Sequence, residues 1–384
     1  MKIALVSPYD FSYPGGVNTH ITALYDNFTA LGHEVKIIAP ASKNVNEFGE
    51  DFIRIGRPFP IPASASIIRI PISLHLAPAI KKVMAEEKFD IVHLHEPFMP
   101  MLCSATLRFS NTVNVGTFHA AQGKPGYKFG RPVTTWILLH RSRKLHGHIA
   151  VSRPAADYVS QFVPAEYEII PNGVDINHFR PDVPPVEKYC DGKLNIVFMG
   201  RLEFRKGLNY LLKAFLEIKR LKPDTRLIVC GGGTRLRKRY EQWVKDVRLE
   251  DVVFTGPLNF TEQPSYYRTA DIFCAPNTSH ESFGLILVEA MATGRPVVAS
   301  NIEGFAAVVT NGEEGLLVPP MRVRPLADAL LKLLNDKQLR LKMGQKGLVT
   351  AQKYAWEGIA SRVLTYYSKT IETERRQGIV KLNG

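Results

Sequence analysis

The chain alternates between two hydrophobic periods at short intervals, and it completes that pattern twice. From the N-terminus, the apolar strand KIALVSP leads through a loop ending PGG to a helical pattern from Asn18 to Leu31, then to Gly32 and a second strand, EVKIIAP. Strand-length apolar runs separated by helix-length amphipathic stretches make βαβ units, whose parallel strands are covered by helices on both faces. Further strands are expected at FDIVHLH (89–95), VNVGTFH (113–119), HGHIAVS (146–152) and YEIIPNG (167–173). Between Asn172 and Lys193 the periodicity stops, and Pro181, Pro184 and Pro185 mark a linker. The pattern then restarts with strand LNIVFMG (194–200), helix Leu208 to Leu221, strand RLIVCGGG (226–233), helix Arg237 to Val247, strands VVFTG (252–256) and DIFCAP (271–276), helix Leu285 to Thr293 and strand PVVAS (296–300). Region 325–368 reads as helical, with a polar tail from Glu372 expected to fray. The fold class is therefore α/β, two doubly wound domains in series. At 384 residues and 45% hydrophobic content, the chain supplies each domain with a core of ordinary size.

The charge balance narrows the partners. Lys and Arg number 49 against 36 Asp and Glu, a net +13 that suits an anion: nucleic acid, an anionic membrane or a phosphorylated small molecule. The basic clusters Arg141 to Lys144 and Arg235 to Arg239 lie on helices or their edges without interleaved aromatics, so a solvated basic face is expected and no nucleic-acid partner. Cys103, Cys190, Cys230 and Cys274 are too scattered for a disulfide framework or a cysteine zinc site, which fits a reducing cytoplasm. Apolar runs such as Ile67 to Ile80 are interrupted by Arg69, Pro71, His75 and Pro78, so no membrane span and no signal peptide are expected.

Four constellations carry chemistry. Gly15 and Gly16 stand between the first strand and first helix, where they serve either a turn at positive φ or the close approach of an anion to a helix N-terminus. Neither G-x-G-x-x-G nor G-x-x-x-x-G-K-[ST] occurs, and Gly231 to Gly233 read as a tight strand exit. In GRLEFRKG, Arg201, Arg205 and Lys206 emerge at the C-terminal edge of a parallel sheet, where an α/β protein binds ligands, and Gly200 and Gly207 keep the loop tight. In ESFGLILVEA, Glu281 and Glu289 are eight positions apart, one before a helix and one inside it; the spacing alone reads as an unrelated surface pair or as two carboxylates serving different hydroxyl-bearing parts of one elongated ligand. His93, His95 and Glu96 offer alternate-strand ligands but no identifiable third one, so no metal site is expected. His119, ending an apolar strand, reads on its own as a structural histidine.

PGGV near the N-terminus, GTFH at 116–119, IPNGVD at 170–175, GRLEFRKG and ESFGLILVEAMATGRPVVAS together resemble the retaining GT-B glycosyltransferases of glycosyltransferase family 4. HEP at 95–97 and GRPFPIPASASIIR at 56–69 are most similar to the bacterial phosphatidylinositol alpha-mannosyltransferases, which use GDP-mannose. The resemblance implies two Rossmann-like domains facing each other across a cleft. The expected bounds are an acceptor domain over 1–173, a donor domain over 174–360, and a C-terminal helix, about 361–384, packing back on the first domain. It implies that the Gly16 amide meets the donor diphosphate, that Arg201 and Lys206 neutralise it, and that Glu289 binds the ribose. It further implies that Glu281 holds sugar hydroxyls, that Phe283, Gly284, Leu285 and Ile286 line the phosphate and sugar pocket through their backbone, that His119 faces the transferred sugar, and that Leu258 lies against the base. Fixed cations at a leaving diphosphate stabilise its developing charge, so no metal is obligatory; Mg2+ is compatible with the chemistry but not indicated, and no Asp-x-Asp occurs.

In the lipid mannosyltransferases the segment matching Pro62 to Arg69 contacts the inositol phosphate. Ser64, Ser66 and Arg69 are suited to that contact, Arg69 through the phosphate, whereas Ala63 and Ser64 replace an aromatic and an amide residue. LHLAPAIKKVMAEEKF (74–89) reads either as an interfacial helix presenting Lys81 and Lys82 to an anionic membrane or as an ordinary surface helix. The expected activity is retaining transfer of mannose from GDP-mannose to a phosphatidylinositol-like lipid, by a cytoplasmic protein peripheral to the inner face of the membrane. The alternatives are another nucleotide sugar with a soluble acceptor, and a non-catalytic basic binding protein on the same fold.

Overall fold

The computed structural model describes the whole chain except residues 14, 64–65, 74–75, 122–138, 280 and 377–384, and the side chains of 62, 63, 66, 67 and 234. Two compact units form, one from Met1–Asn172 with Trp356–Gly384 and one from Gly173–Ala355.

The first unit is built on β1 (Lys2–Val6), β2 (Glu34–Ala39), β3 (Phe52–Arg54), β6 (Ile91–His95), β7 (Val113–Phe118), β8 (Gly147–Ala150) and β9 (Glu168–Ile169), with β4 (Pro58–Ala63) and β5 (Ser66–Pro71) set apart as a hairpin. The seven strands are parallel in the order β3-β2-β1-β6-β7-β8-β9. Strand order reverses direction between β1 and β6, the point at which helices leave to opposite faces and a crevice opens at the carboxyl ends. Alternate residues serve opposite faces. Ile3, Leu5, Ile37 and Ile91 pack with Ile21, Leu24 and Phe28 and with Trp356, Ile359, Val363 and Tyr367, while Ala4, Val6, Ile38 and Val92 pack with Leu76, Ile80, Leu102 and Leu107.

The helix Leu76–Glu87 thus spends its apolar side on the core, with Leu76 and Ile80 buried and Lys81 and Lys82 exposed, as an ordinary surface helix does. The return to the first unit starts at Trp356 rather than near 361, because Trp356, Ile359, Ala360, Val363, Tyr367 and Ile371 form the stripe that covers the sheet. Its helix runs to Arg376, so Glu372 to Arg376 are ordered helix instead of frayed tail; buried Glu374 beside His146 (3.9 Å) docks the last turn.

The strands missed by periodicity are short or proline-rich. In β4, Pro58, Pro60 and Pro62 occupy every second position opposite Pro71, Arg69 and Ile67, so their missing N–H groups all fall on one side of the strand.

The second unit comprises β10 (Leu194–Met199), β11 (Thr225–Cys230), β12 (Val252–Gly256), β13 (Ile272–Ala275), β14 (Val297–Ser300) and β15 (Gly315–Val318), parallel in the order β12-β11-β10-β13-β14-β15. Numbered from its own start this is 3-2-1-4-5-6, the Rossmann order, with the reversal between β10 and β13. Ile196, Phe198 and Leu227 pack under Leu211, Phe215 and Leu330, and Val197, Met199 and Phe273 under Leu287, Val288 and Met291. Both sheets therefore direct their reversal points at the loops that hold the residues singled out above.

Candidate active site

In the first unit, Gly15 precedes and Gly16 begins the helix Gly16–Ala30, which has no side-chain cap. Gly15 lies at φ −170°, ordinary extended backbone, and a Cβ on either glycine would meet nothing within 4 Å. A turn at positive φ is therefore not what requires glycine here; the open space and uncapped amides fit the approach of an anion. By contrast, Gly231 lies at φ 159° with a Cβ position 1.8 Å from Gly200 O, so its own fold demands it, as expected of a tight strand exit.

His119 follows β7 directly. Its main-chain N–H and that of Ala120 donate to Glu96 Oε1 at 2.8 and 3.0 Å, and Glu96 itself sits at φ 51° after β6, so one carboxylate pins the loop. Half-buried His119 stands edge-on to His20, with centroids 4.9 Å apart, and its Nε2 is 3.0 Å from His95 Nδ1. His20 Nδ1 donates to Asn172 Oδ1 (2.9 Å), and His93 is bonded to Thr117 (2.6 Å) and Tyr367 (2.5 Å). Burial pushes His20 down to about 4 and His93 to about 3, and burial with neighbouring rings holds His95 and His119 well below the usual histidine range. All four are neutral at pH 7. Nitrogens of His20, His95 and His119 lie within 4.8 Å of one another and the His93 ring lies 4.3 Å from that of His95, so the third histidine beside His95 that the sequence does not identify is present, supplied by His20 and His119.

In the segment expected to meet the acceptor, Arg69 stacks on Tyr13 with its guanidinium carbon 4.0 Å from the ring centre, and Lys43 stands 5.4 Å over the same ring. No carboxylate pairs with Arg69 among the described residues. Ser66 pairs through its backbone with Ala63, its side chain being outside the described residues, as is Ser64 altogether.

In the second unit, β10 ends at Met199 and releases Arg201 to Gly207; β13 ends at Ala275 and releases Asn277 to Glu281. Glu281 Oε1 accepts from Arg205 Nη1 (2.6 Å), Lys206 Nζ (2.6 Å) and Asn277 Nδ2 (2.8 Å). Its Oε2 accepts from no described residue. Glu203 pairs with Arg205 (2.7 Å) and Arg201 (3.1 Å), which leaves Arg201 out of the Glu281 cluster with its side chain 60% exposed. Three cations against two carboxylates leave a net positive charge for an incoming anion. Lys206 is buried, and desolvation lowers its pKa against the pull of Glu281. Gly207, at φ 72° with a Cβ position 1.9 Å from Pro276 O, lets the two loops touch.

The helix Leu285–Ala292 opens on Gly284 at φ 104° without a side-chain cap, so the amides of Leu285 and Ile286 are presented at its positive end. Phe283 turns its ring into the core against Tyr354 (5.5 Å), leaving its backbone to the loop. Glu289, one turn in, accepts the Tyr267 hydroxyl at 2.5 Å, and burial pushes its carboxyl up to about 7. Half-buried Leu258 packs beside this core after β12. In the second unit the structure thus gathers Arg205, Lys206 and Glu281, keeps Arg201 outside that cluster on Glu203, and adds Asn277 and Tyr267; in the first unit it adds His20 and Asn172. Tyr267 belongs to another helix, Gln263–Thr269, with no local signal, and Asn277 shares the Glu281 loop but stands outside its motif; His20 is visible in the sequence only as a histidine four residues beyond Gly16.

Comparison with known proteins identifies the family of the chain. Residues 14–178 match the family model described as Glycosyltransferase Family 4, and residues 182–349 that of Glycosyl transferases group 1. The chain is 34% identical over 376 residues to a phosphatidyl-myo-inositol mannosyltransferase of Mycobacterium leprae, covering 97% of this chain and 98% of that one. It is 32% identical over 381 residues to the enzyme of that name from Propionibacterium freudenreichii subsp. shermanii, covering 96% and 95%. Among solved structures, sucrose-phosphate synthase from Thermosynechococcus elongatus superposes with a TM-score of 0.77 at 23% identity, over 97% of this chain and 99% of that one, and shares the GT-B fold. The chain belongs to glycosyltransferase family 4, and within it to the group of the bacterial phosphatidyl-myo-inositol mannosyltransferases.

Proposed function

We propose that the protein moves a mannosyl group from GDP-mannose to a phosphatidylinositol-like lipid with retention of configuration, as a peripheral protein on the cytoplasmic face of the membrane. The observation that carries the reading is the three-donor clamp on one oxygen of Glu281, set beside the uncapped amides of Leu285 and Ile286. It fixes a carboxylate for sugar hydroxyls and cations for a diphosphate within one rigid loop pair. As the bond from the sugar carbon to the diphosphate breaks, negative charge grows on the leaving oxygen; Lys206, Arg201 and the helix amides stabilise it, about 3–4 kcal/mol for a well-placed donor. In retention the acceptor hydroxyl attacks on the face the diphosphate leaves, and its proton passes to the departing phosphate oxygen. Glu289, about half protonated at pH 7, can both donate to and accept from the ribose hydroxyls.

For the acceptor, Arg69 held on Tyr13, with no carboxylate partner among the described residues, suits a phosphodiester. Mannose and the inositol lipid follow the names of the relatives, and the +13 charge supports an anionic surface. No helix among the described residues is long and apolar enough to cross a membrane.

Purified protein incubated with GDP-mannose and phosphatidylinositol vesicles is expected to yield a mannolipid. Turnover of another donor with no mannolipid overturns the assignment, and failure to float with anionic vesicles favours a soluble acceptor.

A further inference from the structure

His95 ends β6 wholly buried, and among the described residues its ring has a single polar partner: Nδ1 lies 3.0 Å from His119 Nε2, while Nε2 is buried without one. One proton lies between the two rings, and its placement has two outcomes. If His119 donates, His95 carries its hydrogen on Nε2, a buried N–H with no acceptor. If His95 donates through Nδ1, its Nε2 keeps only an unused lone pair. Orphaned buried N–H groups are the rarer and costlier case, so the second arrangement is favoured. The neutral His119 then holds its own hydrogen on Nδ1.

Among the described residues the neighbouring histidines leave no further proton to share. His20 spends its Nδ1 hydrogen on Asn172, and both nitrogens of His93 are engaged by Thr117 and Tyr367. The His119 backbone is pinned by Glu96, so the ring's freedom is confined to its own torsions.

We propose that His95 is a positioning residue that locks His119 as the Nδ1–H tautomer, so that His119 offers its ligand a hydrogen-bond donor and does not act as a base. Resting on the glycosyl-transfer reading, this assigns His119 to an acceptor oxygen, a hydroxyl of the transferred sugar, and removes it from proton abstraction. A ring already protonated on Nδ1, with Nε2 occupied by His95, has no lone pair to give.

Long-range proton–nitrogen NMR of the intact 15N-labelled protein tests the tautomer directly, with His119 expected to be protonated at Nδ1 and bare at Nε2. His95→Asn keeps an amide donor near the Nδ1 position, and the same His119 tautomer is expected with kcat within about 5-fold. His95→Leu keeps buried volume but no donor; His119 is expected to switch to Nε2–H and kcat to fall on the order of 100-fold, with KM for the nucleotide sugar within about 3-fold. Wild-type His119 protonated at Nε2 overturns the proposal, as does His95→Leu with tautomer and kcat unchanged. If His95→Leu does not fold, the wild-type and His95→Asn spectra decide. If no variant transfers sugar, the functional reading fails while the spectra still settle the tautomer.

Discussion

Gly16→Ala separates what the fold needs from what the ligand needs. The added methyl meets nothing within 4 Å, and the position is the first of a helix, where alanine is at ease. Removing glycine's freedom from the unfolded chain is expected to stabilise the first unit by about 0.4–1 kcal/mol. For a unit of about 200 residues that is a rise in Tm of roughly 1–3 °C. The same methyl stands where a diphosphate would approach the amide. Crowding a close contact costs about 1–3 kcal/mol, which is about 5- to 150-fold in donor affinity. Calorimetric titration with GDP and GDP-mannose reads the second effect, and thermal unfolding without ligand reads the first. Gly207→Ala is the internal contrast, since its Cβ position is 1.9 Å from Pro276 O and its φ is 72°; it is expected to lower Tm outright. A Gly16→Ala protein that loses stability, or that binds GDP and GDP-mannose as the parent does, refutes the reasoning.

Glu281→Gln removes the charge that Arg205 and Lys206 share and is expected to cut kcat about 100-fold or more with Tm lowered by a few degrees; unchanged turnover would remove Glu281 from the site. Glu289 has its pKa raised to about 7 from 4.5, so the folded chain binds the extra proton and the second unit loses stability as pH rises from about 4.5 through 7, by about 3 kcal/mol. Thermal scans of Glu289→Gln from pH 5 to 8.5 are expected to lack that slope, and a parallel slope in both proteins would contradict the shift. His20 has the opposite sign. Its pKa falls to about 4 from 6.5, so its contribution, also about 3 kcal/mol, is complete above about pH 6.5 and is lost as pH falls towards 4; His20→Gln is expected to flatten the acid limb of unfolding, measured by hydrogen exchange in the first unit.

The alternation of period 2 and period 3.6 made both sheets legible in the sequence, and the helix Leu208–Leu221 runs as its pattern reads, because each strand and helix carries its own periodicity. The hairpin of β4 and β5 was not legible, since its prolines mimic a loop until a partner strand shows which side needs no N–H. The site divides along the same line. Gly16, Lys206, Glu281 and Glu289 stand in compact motifs whose residues are neighbours in sequence. The link of Glu281 to Arg205, or of His95 to His119, depends on which strands lie side by side, β10 with β13 and β6 with β7, and no local pattern encodes that order. Arg201 stands in GRLEFRKG at the position of a phosphate ligand, and its pairing with Glu203 and large exposure are features the motif alone does not encode.

The helix Trp356–Arg376 gives the first unit a history as well as a shape. Tyr367 lies 2.5 Å from His93, 274 residues away in the chain, and Trp356, Ile359 and Val363 cover a sheet face whose strands are made before the second unit. On the ribosome that face stays uncovered while the whole second unit is translated, on the order of ten to forty seconds at about 5–20 residues per second. The unit begun first is thus finished last, and the second can fold in the interval. A chain stopped after Ala355 would release a complete second unit attached to an open first one, and the buried histidines would lose the hydroxyl that closes their network.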